Sequence, residues 1–229
     1  MNGRLKGLGI VLVVIGLAFV AAGGYAYMKT QEGAKSLQAF SAVENVKLAY
    51  NDQGQLTDRG DPAEAAAIMS LLTNDWGFAV NKADFNPNDP VVNTASEYMY
   101  QMATVTHHTL SSTQTVVLPK DVTAADGTVY KAGTYQFPVD GRYWSAFDRT
   151  NPIEAAAREQ AWTGTAHALI ANLGVGAVTA TTIQMGFALA GLFAALGATI
   201  ILTGGGLVWA VRAPAAEKAP AFKPAPIPA

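Results

Sequence analysis

Two long runs of apolar residues dominate the pattern of hydrophobic and polar positions in this chain. The first extends from Gly7 to Met28 without an acidic or basic side chain. A second uncharged stretch begins at Ala168, and its most apolar part extends from Ile183 to Val211. At about 1.5 Å of rise per residue, each run is long enough to cross the roughly 30 Å hydrocarbon layer of a membrane. The pattern predicts transmembrane helices over 7–28 and 183–211, and the first run is longer than the ~7–15 residues of a cleaved signal core.

The segment between the two runs shows shorter periodic patterns. Helical spacing predicts that the first helix continues to about Tyr50 and that further helices cover about 62–73 and 95–110. Alternating apolar and polar residues, bounded by Asp-Gly and Ala-Gly turns, predict a small antiparallel β insert at about 113–139. From Pro152 we expect a stalk helix that runs into the second span, with a kink near Gly174 and Gly176. The predicted fold class is a mainly α membrane protein in which two transmembrane helices bracket an α-rich extracytoplasmic domain.

One ten-residue pattern occurs twice. The chain reads DRGDPAEAAA over Asp58–Ala67 and DRTNPIEAAA over Asp148–Ala157. In each copy the Asp or Asn before proline is suited to cap a helix, the proline suits the first helical position, and the glutamate is spaced to close a capping box. The pattern predicts a helix start at each copy, and both an internal duplication and independent use of the same start signal account for it.

The distribution of charge predicts the topology. Basic residues precede the first span at 4 and 6 and follow the second at 212, 218 and 223, so we expect both termini to be cytoplasmic in a multi-pass protein of the cell membrane. Residues 1–6 would be a cytoplasmic N-terminus, 29–182 the extracytoplasmic domain, and 212–229 an Ala/Pro-rich cytoplasmic tail. Over 31–180 there are nine basic and sixteen acidic side chains, a net charge of −7. Such an acidic domain argues against a nucleic-acid partner.

Candidate chemistry outside the spans is sparse. The chain has no cysteine, which excludes disulfides and thiolate chemistry. His107 and His108 follow Met102 on a predicted helix, and histidine with methionine is a donor set suited to copper. Adjacent histidines point about 100° apart on a helix, so one ion would need further ligands. Ser111 and Ser112 follow the histidines without a nucleophile-elbow pattern, and we expect no enzymatic activity.

Two further sets of residues are candidates for packing and recognition. Small residues recur every seven positions in both spans, and such stripes allow two helix backbones to approach closely in lipid. Near the start of the last helix, an aromatic group stands beside charged residues and is a candidate partner surface. The helix-packing residues are Gly9, Gly16, Gly23, Ala190, Gly197 and Gly204; the aromatic residues are Tyr143, Trp144 and Phe147.

Several of these features together resemble a known family. The short basic N-terminus, the glycine-punctuated first span, THHTLSS in mid-domain, DGRYWSAFDRTNP before the last helix and a glycine-rich last span resemble small two-span actinobacterial membrane proteins. Automated labels often describe that family as aromatic ring-opening dioxygenases. The resemblance implies the two-span topology and an actinobacterial source. It carries over no catalytic residue, because such enzymes need histidines and a carboxylate around iron, and two of the three histidines here are adjacent.

The sequence therefore predicts a non-catalytic accessory or structural subunit of a larger membrane complex. Respiratory and copper-monooxygenase assemblies contain small two-span subunits of this build, which is an analogy of architecture. The expected partners are an integral membrane protein and the lipid bilayer. The alternative is a stand-alone extracytoplasmic binding protein, with copper as its candidate ligand at His107, His108 and Met102.

Overall fold

The computed structural model describes residues 2–211, which form two compact units. A helix-pair unit contains residues 2–31 and 185–211, and a central unit contains Glu32–Gln184. The predicted tail over 212–229 lies outside the described residues. The described chain is mostly helical, with small antiparallel sheets, so the coarse fold prediction is confirmed.

Two long helices contain the predicted spans. Helix α1 covers Asn2–Glu44 and helix α5 covers Gly164–Ala210, and both are long and apolar enough to cross a membrane. The prediction that the first helix continues to Tyr50 is wrong. Asn45 adopts a left-handed φ of 51° and donates its N–H to the carbonyl of Ser41, which ends the helix.

Both copies of the repeated pattern begin a helix. Helix α2 covers Pro62–Ser70 and helix α4 covers Pro152–Ala161, each with proline in its first turn. Asp61 and Asn151 accept hydrogen bonds from backbone N–H groups of the first turn, as N-caps do. A single π turn, Leu71–Asp75, follows α2 where we expected the helix itself to continue.

The predicted capping boxes at these two helix starts are wrong. Glu64 instead lies 3.0 Å from His107 Nε2, and the carboxylate of Glu154 accepts the N–H of Asp148, further upstream than the cap. A capping box does form at helix α3, Ala95–Leu110, where Thr94 and Glu97 bond reciprocally.

The stalk helix predicted from Pro152 to the second span is also wrong. Helix α4 ends at Ala161, and Trp162 has φ −98° and ψ 62°, outside the helical region. The hydroxyl oxygen of Thr163 accepts the N–H of Ala166 and begins α5 as a new helix. The break allows the Trp162 indole to be buried and to donate its N–H to the carbonyl of Arg142 at 3.1 Å. No break occurs at Gly174 or Gly176 within the described α5.

The β insert is present as two short antiparallel pairs. Strand β3, Thr113–Leu118, pairs with β6, Gly133–Pro138, and β4, Val122–Thr123, pairs with β5, Val129–Tyr130. A third pair, between β1 at Ala49–Tyr50 and β2 at Leu56–Thr57, precedes α2. A short 3₁₀ turn covers Lys82–Asp84 and another covers Trp144–Ala146.

Three buried clusters hold the central unit together. The largest packs α2 and α3 against the region of α5 near Ala177 and Ala180. A second cluster packs Trp162 with Val139 and Phe147, and a third packs α4 against the inner face of β3. Burial of these apolar side chains contributes roughly 25 cal/mol for each Å² removed from water. The clusters set the positions of the surface sites described below.

Candidate functional site

The two small-residue stripes of the spans meet in the helix-pair unit. A methyl group built on Gly9 would lie 2.6 Å from the carbonyl oxygen of Gly204. The same construction on Gly16 gives 2.7 Å to the Gly197 carbonyl oxygen, and on Gly23 it gives 2.9 Å to that of Ala190. These contacts are backbone to backbone, so only residues without bulk at these positions allow the observed approach. The stripes are therefore used within the chain.

The structure does not bring the three predicted copper ligands together. His107 and His108 lie in a polar recess with Asp58, Arg59 and Glu64, whereas Met102 lines a separate aromatic cleft. Within residues 2–211 no three residues among histidine, aspartate and glutamate form a set placed to hold a metal ion.

His108 is held by two partners. Its Nε2 lies 2.7 Å from a carboxylate oxygen of Asp58, and its Nδ1 lies 3.4 Å from a guanidinium nitrogen of Arg59. Because arginine can only donate, Nδ1 accepts and Nε2 carries the proton that Asp58 accepts. The nearby Ser111 and Ser112 hydroxyls donate to the backbone carbonyls of His107 and Thr109. The recess therefore joins α3 to the first copy of the repeated pattern through polar contacts.

The predicted aromatic partner surface is only partly at the surface. Phe147 is buried, with 5% of its area exposed, and packs in the cluster with Val139 and Trp162, so its assignment to a partner surface is wrong. Tyr143 is exposed and Trp144 is half-buried. Both line the same aromatic cleft as Met102.

This aromatic cleft is a solvent-accessible cavity of about 690 Å³. Three of the four tryptophans in the chain line it, although they are far apart in the sequence. Sequence reasoning identified Tyr143, Trp144 and Met102 but did not place Trp76, Trp162 or His167 with them. The lining residues are Asp75, Trp76, Met102, Thr106, Tyr143, Trp144, Ser145, Trp162, His167 and Ile170.

The rings of the cleft contact one another in series. Tyr143 stacks on Trp162 with centroids 5.7 Å apart, and its hydroxyl accepts the indole N–H of Trp76 at 3.1 Å. Trp162 lies beside His167, which in turn meets Trp144 edge-on at 5.3 Å between centroids. His167 Nδ1 donates to the carbonyl of Thr163, so Nε2 is the acceptor of the neutral ring. These ring–ring contacts and hydrogen bonds hold the side chains of the cleft wall in place.

A second recess of the central unit is an apolar groove of about 250 Å³ between the last turns of α1 and the first half of α5. Apolar side chains form most of its lining, and Glu44 is its acidic residue. The lining residues are Leu37, Phe40, Ser41, Glu44, Val46, Val92, Tyr98, Leu169, Asn172, Leu173, Val175, Gly176 and Thr179.

The groove is built around Tyr98 and exposes large apolar groups. The Tyr98 hydroxyl hydrogen bonds Ser41 at 2.9 Å, and its ring packs on Gly176, where an added methyl group would lie 2.5 Å from a ring carbon. Phe40 is 57% exposed and Val175 is 65% exposed, and Val43 on the adjacent face is 84% exposed. A contiguous exposed apolar area of this kind is typical of an interaction surface.

No protein-family model, curated protein or solved structure matches this chain, so its candidate sites are interpreted from their chemistry.

Proposed function

We propose that the chain is a non-catalytic accessory subunit of a larger membrane complex, held in the cell membrane by α1 and α5. The exposed apolar groove of the central unit is the observation that carries this proposal. Exposed side chains of the helix-pair unit, among them Leu8, Val14 and Leu202, support contact with lipid or with another membrane protein. Both termini face the cytoplasm, as the flanking basic residues predict.

The occupant of the groove is an apolar helix of an integral membrane partner. The lining is mostly apolar, which suits the body of such a helix, and Glu44 at the edge suits a lysine or arginine. In the proposed topology the groove lies outside the cell membrane, so this basic residue would stand at the extracytoplasmic end of the partner's helix, where long Lys and Arg side chains reach out of the hydrocarbon. The acidic character of residues 31–180, with a net charge of −7, also favours a basic residue on the partner.

Site-specific photo-crosslinking in native membranes tests the occupant. A photoreactive residue is placed at Phe40 or Val175 in the groove, and at Val117 or Val129 as controls, since these two are 60% and 50% exposed on the β insert. We expect one integral membrane protein to crosslink from both groove positions and from neither control. The partner peptide, identified by mass spectrometry, should come from an apolar helix with a basic flank.

Three other outcomes contradict the proposal. A crosslinked pair of copies of this chain would make the groove a homodimer interface. Crosslinking to lipid alone would make it part of the membrane-facing surface. Equal labelling from groove and control positions would show that the groove has no specific occupant.

The membrane topology has its own test, because the chain has no cysteine and any introduced thiol is the only one. Gln53→Cys lies in an exposed turn of the central unit, and Ala219→Cys lies in the tail sequence. A membrane-impermeant maleimide added to intact cells should label the first and not the second. The reverse labelling would invert the proposed topology.

A stand-alone copper-binding role is the alternative raised by the sequence. Met102 lines the aromatic cleft and the histidine pair lines the polar recess, where His108 bonds Asp58 and Arg59. Metal analysis of the purified chain tests it directly. Copper near one ion per chain, lost in His107→Ala, would revive it.

A further inference from the structure

We infer that the aromatic cleft binds a small organic cation that carries a methylated ammonium group. This inference concerns a site other than the groove and needs no partner protein. It rests on the chemistry of the ten lining residues, which combines five aromatic rings with a single carboxylate.

Several hydrogen-bond donors of the cleft are already paired within the chain. The indole N–H of Trp76 is used by Tyr143, and that of Trp162 by the carbonyl of Arg142. The Thr106 hydroxyl donates to the carbonyl of Met102, and His167 Nδ1 donates to that of Thr163. Among the described lining residues, the side-chain donors left for a ligand are the Trp144 indole N–H and the hydroxyls of Tyr143 and Ser145, so ring faces outnumber free donors on the wall. A ligand that needs no donor, and that prefers π faces, suits the wall better.

The electrostatics of the cleft favour a positive charge. Asp75 is the only side chain with a formal charge in the lining, which contains neither lysine nor arginine. Tryptophan attracts cations most strongly of the aromatic side chains, because its ring face is the negative end of a quadrupole. A methylated ammonium group combines a positive charge with an apolar surface and needs few hydrogen bonds. It therefore matches both the aromatic faces and the acidic residue of the wall.

One ring of the cleft already carries a cation. The guanidinium carbon of Arg158 lies 3.9 Å from the centroid of Trp144, although Arg158 is not part of the lining. Glu159 lies 2.6 Å from that guanidinium and balances its charge. The arrangement shows that a ring of this cleft lies against a cation in the folded chain.

The size of the cleft agrees with a small ligand. Its volume of about 690 Å³ falls in the range of roughly 300–1,000 Å³ that small-molecule sites occupy. Tyr143, with 42% of its area exposed, lies at the rim, so a ligand can enter without a large rearrangement. The chemistry is shared by free choline-like solutes and by the phosphocholine headgroup of a lipid.

Paired titrations of the full-length protein in maltoside micelles test the inference through tryptophan fluorescence. Choline is compared with 3,3-dimethyl-1-butanol, which has the same shape with carbon in place of nitrogen. We expect the half-saturation concentration of choline to be at least about tenfold lower, as cation–π contacts with several rings predict. Trp209→Phe, which changes an exposed tryptophan of the helix-pair unit, should leave the ligand-dependent signal in place.

A charge variant adds a matched control. Asp75→Asn should raise the half-saturation concentration of choline about threefold to tenfold and leave that of the neutral alcohol unchanged. Asp52→Asn removes an exposed charge from the turn between β1 and β2 and should change neither value. Equal binding of choline and its neutral isostere, or no response to choline at about 100 mM, which is roughly a hundredfold above a Kd of 1 mM, would overturn the inference.

A third comparison separates the two sources of the ligand. Dihexanoyl phosphatidylcholine and dihexanoyl phosphatidylglycerol are titrated below their micelle concentrations. Tighter binding of the first than of choline, with no binding of the second, assigns the cleft to a lipid headgroup. Equal binding of choline and the phosphocholine lipid assigns it to a free solute. Binding of the glycerol lipid as tightly as the choline lipid contradicts a cation site. None of these results depends on whether a partner helix occupies the groove.

Discussion

A single methyl group added at Gly16 should separate the two helices of the helix-pair unit. Its position lies 2.7 Å from the carbonyl oxygen of Gly197 and 2.9 Å from the backbone nitrogen of Ile201. Ordinary van der Waals contact begins at 3.4 Å, so the facing backbone must move by about 0.7 Å. No rotamer change relieves the overlap, because two of the atoms that the methyl group meets belong to the backbone.

The expected cost follows from that displacement. A radial gap of roughly 0.5–1 Å forfeits about a quarter to a half of each dispersion contact along the seam. Overpacking of a close contact typically costs about 1–3 kcal/mol, and in lipid no hydrophobic gain offsets it. We expect Gly16→Ala to weaken the helix pair by about 1–3 kcal/mol, which is roughly a fivefold to 150-fold shift in its equilibrium.

Gly24→Ala is the matched control on the same helix. An added methyl group at Gly24 meets no atom of the described chain, residues 2–211, within 4 Å, so the same substitution should cause no loss. Both variants are made in a Tyr27→Cys, Phe187→Cys background, whose native rings lie 5.5 Å apart in the helix pair. The extent of cross-linking by a short bis-thiol reagent is followed as SDS is added to the micelles. If the two alanine variants lose cross-linking at the same SDS fraction, the packing of the glycine stripes is refuted.

Three further predictions concern the central unit. Burial raises the pKa of Glu97 above its ordinary value near 4.5, against the opposing hydrogen bonds from Asn93 and Thr94, so the folded chain holds the proton more tightly than the unfolded chain. The protonated Glu97 therefore stabilises the fold fully below the unfolded pKa, and this stabilisation is lost as pH rises through the folded pKa. The melting temperature of wild type minus that of Glu97→Gln should fall from pH 4 to pH 7. A difference that stays constant over this pH range contradicts the prediction. Trp144→Leu removes the ring that faces the buried guanidinium of Arg158 and should lower the free energy of unfolding by about 1–2 kcal/mol, whereas an unchanged denaturant midpoint argues against the contact. The buried hydroxyl of Tyr50 has no hydrogen-bond partner within residues 2–211, so Tyr50→Phe should leave stability unchanged or raise it by up to about 1 kcal/mol in thermal unfolding, and a clear loss would show a further partner.

Features that depend on neighbouring residues were the ones that the sequence predicted well. The proline after Asp61 and Asn151 marks a helix start in both copies, and Thr94 with Glu97 forms the expected capping box. Each of these signals acts within one turn of helix, where the chain itself determines which atoms meet. The small-residue stripes are also a local signal, because a period of seven places small side chains along one face of each helix.

Two predictions are wrong because they depend on contacts between distant residues. The spacing predicts that Glu64 and Glu154 bond the backbone of their own caps. The carboxylate of Glu64 instead bonds His107 on α3, and that of Glu154 accepts the N–H of Asp148 in the upstream loop. The stalk helix breaks at Trp162 because burying that indole against Val139 and Phe147 outweighs continuing the helix, and those residues lie outside the local pattern.

The sequence by itself determined the two long apolar helices, the helix starts, the short β insert and the acidic character of the segment between the spans. Only the tertiary structure decided which side chains share a site. It placed Met102 with Trp76 and Trp162 rather than with the histidines, and it buried Phe147 while leaving Tyr143 at the rim of the cleft. The physical reason is that hydrophobic periodicity and capping act over a few residues, whereas a cleft is formed by packing between segments that have no fixed spacing in the chain.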